Sequence, residues 1–172
     1  MRQFRHQRLN ELMRRHGWIA TGVPGKAIYT VGLMTVFNHP EVAVHAMAPG
    51  QSKAIIDRAV ELLKQGQRLK PGISNEIAEG HPAKLIDVHP SNFPDWFGQA
   101  FGYYGEALKI RQILWCDTRG HFPGDPDYQH RFAMQKPFDV RRPEYDEETV
   151  EGWECNCQLC ADEQAMRKGK PN

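Results

Sequence analysis

The sequence predicts an α+β fold: a single mixed, largely antiparallel sheet with two or three packing helices and a C-terminal Cys-rich tail. Three observations carry this expectation. Apolar residues recur at helical spacing around Phe4–Met13, Ile55–Leu63 and Phe93–Tyr104. Short β-rich runs separate these stretches and are joined by turn residues such as Pro24-Gly25. The composition, 40% hydrophobic and 25% charged over 172 residues, is that of a chain able to bury one sizeable core.

The elements follow in order. Phe4, Leu9, Leu12 and Met13 make an apolar stripe, so Gln3 to His16 reads as an amphipathic helix closed by Gly17. Trp18 to Val23 and Ala27 to Met34 read as the two strands of a hairpin. Asn38-His39-Pro40 breaks the chain before a strand over Glu41 to Met47, where Val42, Val44 and Ala46 alternate with other residues. Ser52 is the expected cap of a helix running to Gln65, which buries Ile55, Ile56, Ala59, Val60, Leu62 and Leu63. Gln67 to Pro82 reads as an irregular connection or a weak strand pair, and Leu85 to Val88 as a short strand. Ser91 or Asn92 then caps a helix from about Pro94, with Trp96, Phe97, Ala100, Phe101 and Tyr104 on its packed face. Leu108 to Cys116 is the clearest strand, ended by the turn Asp117-Thr118-Arg119-Gly120. The core domain is expected over residues 1–128, and residues 129–172 read as a charged, Pro-containing arm that ends in the cysteines.

Charge and hydropathy exclude several classes. A net charge of +1 gives no long-range field for nucleic acid or an anionic membrane. The arginines Arg2, Arg5, Arg8, Arg14 and Arg15 do share the polar face of the first helix, so nucleic-acid binding there stays a minor expectation. No run approaches the roughly 20 apolar residues of a membrane span, and the N-terminus lacks a signal-peptide core. A cytoplasmic location without membrane contact is the expectation.

In that reducing compartment, Cys155, Cys157 and Cys160 read as metal ligands before they read as disulfides. Three thiolates in a C-x-C-x-x-C run suit zinc, a soft tetrahedral ion that needs one ligand more. Cys116, at the end of a predicted strand, is the natural fourth, against the plainer role of a small buried hydrophobe. His81, His89, His121 and His130 are the alternatives. An open zinc site would be catalytic with Glu154 or Glu163 as base, and an iron–sulfur cluster would demand all four cysteines.

Tyr29-Thr30-Val31-Gly32-Leu33, then His39-Pro40-Glu41, then Gln112-Ile113-Leu114-Trp115 followed by Asp117, Gly120, Phe122 and Pro123 form an ordered set of motifs. In order and spacing they resemble the bacterial and phage family known as domain of unknown function 4262, over roughly residues 17–128. The resemblance implies one α+β domain and brings no catalytic residues with it. The sequence departs from the family pattern at Gly124, where relatives often carry an aromatic.

His39, Glu41, His89, Asp117 and His121 lie near strand ends or the family-like motifs and are the candidate catalytic residues; turn formation and strand-end capping are their structural alternatives. The chain carries no H-E-x-x-H, G-x-G-x-x-G, P-loop or G-x-S-x-G pattern. The reading that follows is a zinc-binding protein that acts by binding or regulating a protein partner. The alternative is a metal- or cofactor-dependent enzyme with a cleft lined by Tyr29, His39, His89, Trp96 and Trp115.

Overall fold

The computed structural model describes residues 2–23, 26–78, 80–129 and 135–141, with side chains from residue 9 onward. Helix α1 (Arg2–His16) leads through Gly17 into the hairpin β1 (Ile19–Gly22) and β2 (Ala27–Val31). A short helix α2 (Leu33–Phe37) precedes β3 (Glu41–His45), and α3 (Pro49–Lys64) follows it. A second hairpin, β4 (Gly72–Ala78) and β5 (His81–Asp87), leads through the short helices α4 (Phe93–Trp96) and α5 (Gly98–Tyr104) to β6 (Ile110–Trp115).

The strands form one six-stranded sheet in the order β1-β2-β3-β6-β5-β4, and every neighbouring pair is antiparallel except β3 with β6. The fold class predicted from the sequence is the one observed. Alternation along β3 explains how the sheet is covered. Val42 and Val44 face α3 and pack with Ile56, Ala59, Val60, Leu62 and Leu63, while Ala43 faces the opposite layer of Leu9, Met13, Phe93, Phe97 and Ala100. Among the described residues, no helix is long and apolar enough to cross a membrane.

Three local expectations are corrected. The chain after Val31 leaves the sheet at Gly32, whose φ of 124° turns it into α2 instead of prolonging the strand to Met34. Helix α3 starts at Pro49 rather than after Ser52; proline suits a first helical position, and the Ser52 hydroxyl donates to the Met47 carbonyl instead. The aromatic helix breaks in two at Phe97, whose φ and ψ of −129° and 32° are not helical.

Residues 135–141 lie on the α1 side of the sheet, where Phe138 joins the core cluster of Phe93, Phe97 and Ala100.

Candidate functional site

Sheet topology sorts the polar residues into two groups. Because β3 and β6 run parallel, His39 and Glu41 sit where both strands begin, and His89 follows the end of β5 on that same side. Asp117, His121 and Cys116 follow β6 at the other end, beside His45 and the start of α3. The five candidate catalytic residues therefore do not converge on one site.

At the first end, Glu41 is fully buried. Its carboxylate accepts from the Thr30 hydroxyl at 2.7 Å and from the backbone N–H groups of Gly32, Leu33 and Met34 at 2.8, 3.2 and 3.2 Å. A carboxylate reached from β3 thus closes the first turn of α2, satisfying amides that no residue of the helix can reach. Tyr104 lies over this nest with its hydroxyl 3.4 Å from that of Thr35. Burial, reinforced by the nearby Glu41 carboxylate, raises the Tyr104 pKa and keeps its phenol neutral. His39, also buried, has Nδ1 2.7 Å from the Pro40 carbonyl and Nε2 3.2 Å from that of Leu69. Two carbonyl partners favour the imidazolium, but desolvation outweighs them, aided by Arg111 and Arg68, and the pKa is lowered. The His89 Nδ1 accepts from the Ser91 backbone N–H at 3.3 Å and caps the short 3-10 turn Pro90–Asn92.

At the second end, Asp117 organises its own loop. Its carboxylate accepts from the N–H groups of Arg119, His121 and Gln129 at 2.8, 3.0 and 3.0 Å. Burial would raise its pKa; the three amides, with the His121 imidazole, hold it down to about 2. His121 Nδ1 lies 3.6 Å from the same carboxylate and has no hydrogen-bond partner. Cys116 is a free, half-buried thiol. Burial, with Asp117 beside it, pushes its pKa up, opposite to the shift that a reactive thiol requires. It lines an open groove of about 1340 Å³ between α3, β4 and the end of β6, with Met47, Ile55, Arg58, His81 and Trp115. Of the five residues expected to share a cleft, only Trp115 lines this groove.

Between the two ends, the core grips residues 135–141 mainly through side chains. Gln112, fully buried, accepts from the Phe138 N–H at 2.9 Å and donates to the Lys136 carbonyl at 2.8 Å. The Asn92 amide donates to the carbonyls of Phe138 and Val140 at 3.1 and 3.2 Å, and the His89 N–H donates to that of Phe138 at 2.7 Å. In return, the Gln135 side chain accepts from the Trp115 N–H at 2.9 Å and donates to the Trp115 carbonyl at 2.8 Å. The Phe138 ring sits 4.9, 5.2 and 5.7 Å from the rings of Trp96, His45 and Phe97. Sequence reading missed this channel, since an isolated Gln, Asn or Phe carries no periodicity.

His45 closes the channel by accepting the Lys136 N–H on Nδ1 at 3.1 Å. Burial first, and the Lys136 charge second, lower its pKa to about 4. A folded-state pKa below the ordinary value of about 6.5 means that the unfolded chain takes up the proton first. Stability is therefore expected to be full above pH 6.5 and to fall between pH 6.5 and 4, by about 3 kcal/mol in total. Denaturant unfolding at pH 7, 5.5 and 4.5 checks this. The His45→Gln variant keeps an acceptor without a titration and is expected to lose the His45 share of the slope while that of His39, whose pKa is also lowered, remains; an unchanged slope would assign it elsewhere.

Cys155, Cys157, Cys160, Glu154, Glu163 and His130 lie outside the described residues. Among the described residues, no three His, Cys, Asp or Glu side chains are grouped to hold a metal ion. No curated protein and no solved structure matches the chain. A family model described as Domain of unknown function (DUF4262) matches residues 12–129, which include the Glu41 nest, the Asp117 turn and the residues that line the channel. That match takes in more than half of the sequence, and the chain belongs to the DUF4262 family.

Proposed function

We propose that this chain is a binding or regulatory protein that acts through contacts with a protein partner and holds zinc on its C-terminal thiolates. The observation that carries the reading is the saturation of both buried carboxylates. Glu41 and Asp117 each accept three backbone N–H groups, so their lone pairs hold loops together and are not presented to a substrate. The open groove at the end of β6 supplies a surface of mixed apolar and charged character, as protein interfaces have.

Zinc is assigned to Cys155, Cys157 and Cys160, with Cys116 as the fourth ligand. Two facts support Cys116: its thiol is free, and although it packs against Ile86, Leu114 and Phe122 it also lines the open groove. The full chain, purified without chelators, is expected to carry about one zinc per molecule. Cys157→Ala is expected to lose most of that metal, and Cys116→Ala to weaken its retention against a chelator. A wild-type protein without stoichiometric metal would remove zinc from the proposal.

One observation favours an enzyme as the second reading. The Asp117 carboxylate lies 3.6 Å from the unpartnered Nδ1 of His121, close enough that a small movement would make the hydrogen bond by which a carboxylate orients an imidazole for proton transfer at its other nitrogen. On that reading, His121→Ala abolishes a turnover that Cys157→Ala retains.

A further inference from the structure

We propose, on the reading of this chain as a protein-binding module, that the channel holding residues 135–141 is a peptide-recognition site. It accepts an extended Gln-x-Pro-Phe segment of a protein partner in place of the resident stretch.

The channel grips that stretch as a receptor grips a peptide. Residues 135–141 are not a strand of the sheet; apart from the His89 N–H on the Phe138 carbonyl, buried side chains read their backbone, Gln112 by both its oxygen and its nitrogen, His45 by Nδ1, and Asn92 by its amide. Contacts to backbone groups hold any extended chain; pockets for particular side chains set the preference. Here the side chains of Gln135 and Phe138 are buried, whereas Lys136, Asp139, Val140 and Arg141 are exposed. Pro137 stands between two residues that both give their N–H groups to the core, at the position where its own missing N–H costs nothing. A proline there also restricts the preceding residue to extended conformations, which lowers the ordering entropy of binding. The features a partner must share are therefore the buried glutamine, the proline and the aromatic anchor.

The gripping residues and the stretch they hold come from different parts of the chain, within one compact unit that runs to Arg142. His45, His89, Asn92, Trp96, Phe97, Gln112 and Trp115 all fall within residues 12–129, and residues 135–141 fall beyond them. The sheet and its short helices carry the channel, and residues 135–141, packed on them within the same unit, supply one ligand in cis. That ligand has a single buried ring and no ladder of its own, so a second segment of the same chemistry competes for the same contacts.

The test uses the full chain and a fluorescent synthetic peptide with the sequence of residues 135–141, followed by anisotropy. In the wild type the resident segment competes. Phe138→Ala, which removes the resident anchor, is expected to bind the peptide about ten-fold or more tightly than the wild type does. A peptide with alanine in place of its phenylalanine is expected not to bind, and Gln112→Ala added to Phe138→Ala is expected to weaken binding by about ten-fold. Circular dichroism checks the fold, and Phe138→Leu, a milder loss of the anchor, serves if Phe138→Ala does not fold. The proposal is overturned if the folded variant binds no better than the wild type, or if Gln112→Ala changes nothing. It is also overturned if light scattering shows a dimer that exchanges this segment, because the channel would then belong to a second copy of the chain. None of these outcomes bears on zinc, so failure here and failure of the metal assignment are told apart.

Discussion

Glu41→Ala is expected to lower the unfolding free energy by about 3–5 kcal/mol, measured as a shift of the urea or guanidinium midpoint at pH 7. The magnitude follows from what the carboxylate holds. Three backbone N–H groups and one hydroxyl converge on it inside a site with no exposure. Alanine removes the acceptor from those donors, and each buried donor left unsatisfied costs about 1–3 kcal/mol. Glu41→Gln separates charge from shape. It keeps the volume and one acceptor oxygen but turns an NH2 group toward amides that need an acceptor, so an intermediate loss of about 1–3 kcal/mol is expected. The contrast bears on function as well as on stability. A catalytic glutamate is dispensable for folding, whereas this one is expected to be necessary for α2 to form. A Glu41→Ala protein within about 1 kcal/mol of the wild type would mean that water or Tyr104 takes over the nest and that the carboxylate is available for another role.

Gly32→Ala is the second large effect, also about 3–5 kcal/mol, through backbone strain and collision together. Gly32 adopts a φ of 124°, and an added Cβ would lie 2.4 Å from the Gly17 carbonyl oxygen and 2.6 Å from the Trp18 Cα. Neither obstacle is the flexible end of a side chain, so relief requires β1 to move off β2. Gly50→Ala is the control: its Cβ meets nothing within 4 Å, and within α3 it is expected to be neutral or to stabilise by about 0.5–1 kcal/mol. Gly32 also donates its N–H to Glu41, which places the two substitutions in one network. The double variant is accordingly expected to lose less than the sum of the single losses. Additive losses would show that the turn at Gly32 and the Glu41 nest stand independently. Thermal and chemical denaturation of the wild type and the four variants measure both points.

How much was legible in the sequence depended on whether the determining interaction was local. The apolar faces of α3 and β6 could be read because burial on one side imposes a period on the residues themselves, as Ile56, Ala59, Val60 and Leu63 show. Helix α2 could not, because its cap is a glutamate eight residues beyond its first residue, on another element. The Asp117 turn was read from its composition; the carboxylate's three amide partners, one of them Gln129, were not. The channel was hidden for a similar reason. Gln112 sits in a strand whose apolar neighbours announce burial, yet nothing near it in sequence says that its amide will bind Lys136 and Phe138. Phe138 stands among prolines and charges, which read as an arm.

The amino-acid order by itself determined the α+β class, the first antiparallel hairpin and the family, since these follow from periodicity, turn residues and ordered motifs that lie close together along the chain. Only the tertiary structure decided which polar residues meet. It placed His39, Glu41 and His89 at one end of the sheet and Asp117 and His121 at the other. The reason is that strand order and direction, here the one parallel pairing of β3 with β6, are settled by long-range packing to which no local pattern is sensitive. Buried carboxylates and amides take their partners only once that packing exists, so whether such a group is a catalyst, a cap or a peptide receptor is set by its place in the fold.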